Sequence, residues 1–259
     1  MIISWKKLNL IPSYRIAVYS FQNITLIIQS NNPNTMKNFT KFLLTLLISC
    51  ISFCGFSLPI LSSYPSATAT IFLDFDGQTV TSSLWNGGST IFCAPAPLTD
   101  VQIEEVFKRV SEDYRPFEIN ITTDSTVFFA APINRRIRII VTPTSSWKPL
   151  VGGVSFTGSF KWGDNTPGFV FTDRLSNNPK FIADCCSHES GHTLGLAHQS
   201  RYDNSCAIVE TYNSGSGTSG DQTSWAPIMG NSYSRNISSW YNGPTPTSCS
   251  SLQIGRAHV

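Results

Sequence analysis

An α+β fold is the architecture this chain predicts, and three observations carry it. Short β-branched and aromatic runs recur between residues 66 and 172 with one amphipathic helix among them. The eleven-residue window at the end of a second helix holds three of the chain's four histidines, and beyond it the chain turns Gly/Ser-rich. In order, residues 69–75 are β-branched and aromatic enough for a first strand, which Asp76-Gly77 closes as a turn. Thr99 caps the following helix. There Val101, Ile103, Val106, Val110 and Tyr114 fall on one face, and Asp100, Glu104 and Glu105 lie early, where the helix dipole favours acidic groups. Residues 118–122 and 137–142 read as further strands, and residues 151–156 and 168–171 complete a sheet. The histidine-bearing helix starts near Lys180. Residues 213–220, almost all Ser and Gly, predict a mobile loop by composition.

The 259 residues suffice for one domain with a sizeable core, placed at residues 66–253. Charged residues are sparse at 13% and no Lys/Arg cluster occurs, so nucleic acid is excluded as an expected partner. Met36-Lys37-Asn38-Phe39-Thr40-Lys41 is a basic n-region and residues 42–56 an apolar h-region, so residues 36–57 predict a secretory signal. Residues 1–35 are then expected to be upstream sequence from a wrongly chosen start. The apolar run is too short for a comfortable membrane span, and no transmembrane segment is expected after cleavage. Two rivals stand beside this reading: Met1 is genuine and the apolar run a retained signal anchor, or the chain is lipidated, since Leu47-Ile48-Ser49-Cys50 loosely resembles a lipoprotein cleavage box. Residues 254–259 are what a common sequencing adapter read in frame would encode, so the natural chain is expected to continue past Gln253, and His258 receives no role.

Outside the signal five cysteines remain, Cys93, Cys185, Cys186, Cys206 and Cys249, so at least one lacks a partner among them. Cys206 with Cys249 would enclose Met229 and is a candidate staple, in keeping with an oxidising compartment. A cysteine that masks a metal is conceivable for Cys93, although Phe92-Cys93-Ala94-Pro95 does not match the usual prosegment pattern. Asn120 and Asn236 begin glycosylation sequons, with Asn236 the better candidate because Asn120 falls in a strand. Structural calcium at Asp74, Asp76 and Asp124 competes with turn and capping roles.

His188-Glu189-Ser190-Gly191-His192-Thr193-Leu194-Gly195-Leu196-Ala197-His198 carries the chemistry. On a helix His188 and His192 lie one turn apart and can share one metal. Glu189 is one step round the same helix, within reach of a metal-bound water, and reads as general base. Gly195 can adopt positive φ, end the helix and return His198 as a third ligand. Three neutral imidazoles leave a fourth position open, as catalytic zinc requires, and a water bound there has a pKa near about 7. Chance coincidence of all five specified positions in a chain this long is on the order of 10⁻⁵.

This HExxHxxGxxH pattern, followed by Trp225-Ala226-Pro227-Ile228-Met229-Gly230, resembles the metzincin clan of zinc endopeptidases, which adds a downstream methionine turn. The resemblance implies a zincin-like domain over about residues 66–253. It would have a twisted, mostly parallel sheet with an edge strand over the cleft, a long active-site helix and a small C-terminal subdomain. Met229 would lie beneath one catalytic Zn²⁺ held by His188, His192 and His198. Residues 151–156 are the candidate edge strand, with Gly153 and Val154 available to pair with an extended peptide. Tyr233 follows Met229 by four residues, not the two of astacin-like and serralysin-like enzymes. It either lines the substrate pocket or packs. Gln199 follows His198 where reprolysin-like and snapalysin-like members usually carry Asp, so the subfamily stays unassigned. The implied activity is that of a secreted zinc-dependent endopeptidase acting on proteins or peptides. Two alternatives stand beside it: a catalytically silent extracellular binding module, and a zinc amidohydrolase acting on cell-wall peptide.

Overall fold

The computed structural model describes residues 58–253 together with two short strands, β1 (Arg15–Val18) and β2 (Leu26–Gln29), which pair antiparallel. The chain divides into two compact units, Met1–Ser57 and Leu58–Val259. The signal expected at residues 36–57 and the adapter-like residues 254–259 lie outside the described residues. Among those described, no helix is long and apolar enough to cross a membrane.

The second unit is a mixed α+β structure built in this order: β3 (Ala69–Asp74), β4 (Gln78–Val80), β5 (Ile91–Cys93), α1 (Asp100–Tyr114), β6 (Ile119–Thr122), α2 (Ser125–Ala130), β7 (Arg136–Thr142), β8 (Gly153–Val154), β9 (Gly168–Phe171) and α3 (Pro179–Thr193). Its central sheet has the order β6-β3-β7-β9-β8. The first four strands run parallel and β8 runs antiparallel at one end. Parallel strands covered on both faces must be apolar almost throughout, which is why β3 and β9 are buried at every position. Ile71, Leu73, Ile137, Ile139 and Val141 point to one face, where they pack with Ile103, Val106 and Val110 of α1 and Ile182 and Ala183 of α3. Ile140, Phe169 and Phe171 point to the other and meet Val80, Trp85 and Ile91 of the β4–β5 hairpin.

The cap expected at Thr99 is a full capping box: its Oγ accepts from Gln102 N, while its own N–H donates to Gln102 Oε1. Val101 departs from the expected face and is 77% exposed. It precedes Ile103 by two residues, which on a helix is more than half a turn, so it cannot share that face. Phe107 takes the place in the core that Val101 was expected to fill. The strand expected at residues 151–156 is in ladder register with β9 at Gly153↔Val170 and Val154↔Phe169, with one further bond from Phe171 N–H to the Gly152 carbonyl. Residue 155 then leaves the ladder toward α3. The β4–β5 hairpin and α2 were not anticipated. Asp124 caps α2 by accepting from Thr126 N at 2.7 Å, and Asp74 pairs with Arg138 at 2.8 Å. Two of the three aspartates considered for calcium therefore have capping or ion-pair partners.

Beyond α3 the chain makes three small pairs: β10 (Arg201–Tyr202) with β11 (Ile208–Glu210), β12 (Trp225–Pro227) with β13 (Ile237–Ser239), and β14 (Gly243–Thr245) with β15 (Ser248–Gln253). A Cys206–Cys249 disulfide ties this region together, with Cα atoms 5.6 Å apart. Cys93, Cys185 and Cys186 are free and buried, Cys93 within the hairpin core. The Gly/Ser-rich stretch is not a detached loop. Ser216 pairs with Trp225 through both backbone bonds, and Arg235 Nε donates to the Ser214 carbonyl. Asn120 is buried and its Oδ1 accepts from Tyr64 N, whereas Asn236 is exposed, with Nδ2 on the Asp221 carbonyl.

Candidate metal centre

Helix α3 starts where Asn178 Oδ1 accepts from the N–H groups of Lys180 and Phe181, with Pro179 at the first helical position, where its missing N–H costs nothing. It ends at a glycine C-cap: Gly195 has φ +101°, its N–H donates to the His192 carbonyl, and Leu196 N–H donates to the Gly191 carbonyl. This paired bonding is a Schellman motif, which requires a left-handed residue at that point. The reversed chain brings His198 back over the last turn of the helix.

His188, His192 and His198 offer ring nitrogens that all lie within 4.8 Å of one another, with His192 Nε2 and His198 Nε2 3.0 Å apart. Among the described residues this is the one group of three or more His, Cys, Asp or Glu side chains that could hold a metal ion. The surroundings suit that use. His188 Nδ1 donates to the Ile228 carbonyl at 2.8 Å and His192 Nδ1 to the Leu196 carbonyl at 2.7 Å. A carbonyl can only accept, so Nδ1 carries the proton on both rings and each Nε2 keeps its lone pair. Burial, with the charge of neighbouring imidazoles, pulls His188 down to about 3 and His198 to about 4; burial lowers His192 as well. All three rings are thus neutral near pH 7, the state in which imidazole binds a cation.

Glu189 is buried beside them. Ser155 Oγ lies 2.6 Å from Glu189 Oε2 and 2.9 Å from the Glu189 carbonyl. Burial pushes the carboxyl up to about 7, with the Ser155 hydrogen bond opposing. Met229 is buried against Leu196, Ile228 and Trp240, beneath the helix. A Cβ on Gly191 would stand 2.6 Å from Met229 Sδ and 3.3 Å from the Trp240 ring. Gly191→Ala is therefore expected to cost about 1–3 kcal/mol by overpacking. A thermal melt unchanged from wild type would remove that explanation of the glycine. Gln199 N–H donates to the Met229 carbonyl and Gln199 O accepts from Asn213 N, so the residue after His198 anchors the returning chain to the methionine turn.

Gly153 sits where β8 meets α3, its absent Cβ otherwise 2.7 Å from both Cys185 Sγ and Glu189 Cγ. Its smallness thus serves the strand–helix contact. Val154 is half-buried against the hairpin core. Tyr233 is half-buried, its ring 5.7 Å from that of Phe181 and its hydroxyl 3.2 Å from where a Gly152 Cβ would be. Sequence reasoning missed Ser155 and Tyr212. Tyr212 is 47% exposed, and its ring lies 4.5 Å from that of His198. A hydroxyl between Val154 and Phe156 was a faint signal for Ser155; Tyr212 had none.

No family model matches the chain, and no curated protein matches it. Fold and site together define an α+β protein with a mostly parallel sheet and three convergent histidines that could hold a metal ion.

Proposed function

We propose that the protein is a secreted, metzincin-like zinc endopeptidase. The observation that carries this reading is the convergence of three neutral imidazoles from one helix and its glycine-capped reversal, with a buried carboxylate beside them and a methionine below. The sheet order, with one antiparallel strand at the end next to the helix, supports it.

His188, His192 and His198 would hold the ion; a ligand set of three histidines suits zinc, which when bound supplies a Lewis acid for the scissile carbonyl and a water acidic enough to attack near neutral pH. Glu189 takes the proton of the attacking water and returns it to the leaving amine. The carbonyls of Ile228 and Leu196 hold the His188 and His192 rings in orientation and tautomer. β8, last in the sheet, presents its outer backbone edge for an extended peptide. The Cys206–Cys249 bridge fits an oxidising compartment outside the cell.

The test is cleavage of a mixed peptide library by the purified full chain. Hydrolysis is expected to stop with a chelator and to return with added Zn²⁺. Cleavage that survives metal removal, or a zinc-loaded protein that cleaves nothing, would overturn the proposal.

A further inference from the structure

We infer that Ser155 is a positioning residue for Glu189, holding one carboxylate oxygen so that the other is presented as the base. This deepens the peptidase reading and rests on it for its catalytic part. The geometry comes from the edge of the sheet. Gly153 allows β8 to press onto α3, since any Cβ there would strike Cys185 Sγ, Glu189 Cγ and the Phe169 carbonyl. Two residues on, Ser155 arrives with Oγ 2.6 Å from Glu189 Oε2 and 2.9 Å from the Glu189 carbonyl. A hydroxyl has one proton, and the shorter contact to the charged oxygen is where it is best used.

Among the described residues no donor meets Glu189 Oε1. One oxygen is therefore tethered, and the other keeps its lone pairs for proton transfer. The tether matters because a glutamate side chain has three torsions, and a base must sit within hydrogen-bond reach of the proton it takes. Gly153 lies against the aliphatic part of the side chain, its Cβ position 2.7 Å from Glu189 Cγ, and Ser155 holds the carboxyl group beyond it.

The experiment compares Ser155→Ala and Ser155→Thr with wild type in two ways: steady-state peptide hydrolysis of the zinc-loaded full chain, and NMR of Glu Cδ-labelled protein in which Glu189 is assigned through its loss in Glu189→Gln. Ser155→Ala is expected to lower kcat about tenfold with KM and bound metal unchanged, and to shift or broaden the Glu189 carboxyl signal. Ser155→Thr, which keeps the hydroxyl, is expected to restore both. A Glu189 signal that does not move in Ser155→Ala overturns the inference, as does an unchanged kcat in an active enzyme. A wild type that cleaves no peptide sinks the peptidase reading alone, and the carboxyl signal then decides the role of Ser155 by itself.

Discussion

Glu189→Ala is expected to lower peptide hydrolysis by about 10²- to 10⁴-fold while leaving bound metal at the wild-type level. The two halves of that result separate chemistry from ligation. Glu189 lies between His188 and the next turn of α3, but the converging nitrogens belong to the three histidines, and its own Oε2 is engaged by Ser155. On the proposed mechanism its removal takes away the proton acceptor without removing one of the three candidate ligands. Gly153 and Ser155, which lie against its side chain, carry no charge, so truncation to Ala leaves a gap rather than a stranded charge. Metal analysis alongside kcat/KM reads both halves. A variant retaining a tenth or more of wild-type turnover would remove Glu189 from the proposed role, and one that loses its metal would make it a structural prop.

The second large effect concerns stability. The Cys206–Cys249 bridge closes a loop of 43 residues, and on the chain-entropy model such a link constrains the unfolded state by about 4 kcal/mol. For a unit of this size that corresponds to a melting temperature lower by about 10 °C. Cys206→Ser with Cys249→Ser is the right comparison, because changing one cysteine leaves its partner free to pair with another thiol. The closed loop contains Met229 and Ile228, whose carbonyl receives His188, so the double variant should also bind metal less tightly. Matching melts for the double variant and the oxidised wild type would show that the loop is held by its packing alone.

What the sequence disclosed, and what it concealed, follows from where each element finds its partners. β3, β6, β7 and β9 are buried almost throughout and so announce themselves as apolar runs. α1 carries its 3.6-residue period within its own fifteen residues and its capping box begins one residue before them. The histidine motif was legible for the same reason: α-helical spacing and one glycine are enough to make the three rings converge. Elsewhere the deciding contact is remote. β8 is two residues long, with Ser155 after it turned to Glu189 of α3, and α2 has only six residues, too few for a periodic signal. The Gly/Ser stretch looked mobile because composition does not reveal that Ser216 pairs with Trp225. Ser155 and Glu189 are 34 residues apart, and no local rule joins them.

The glycine-capped reversal after α3 bears on how the centre is assembled. All three candidate ligands fall within eleven consecutive residues, so bringing them together closes only short loops, at little cost in chain entropy. His192 finds its Leu196 acceptor inside the same reversal, whereas His188 depends on Ile228, forty residues downstream. Folding can therefore set the His192 ring as soon as the helix and its reversal form, with low contact order, and lock His188, and the chain beside His198 through Gln199, only when the distal segment docks. The centre is built in two stages. Its last stage coincides with the arrival of Met229 beneath Gly191, so a nascent chain truncated before residue 228 holds the local half of the site without its lock.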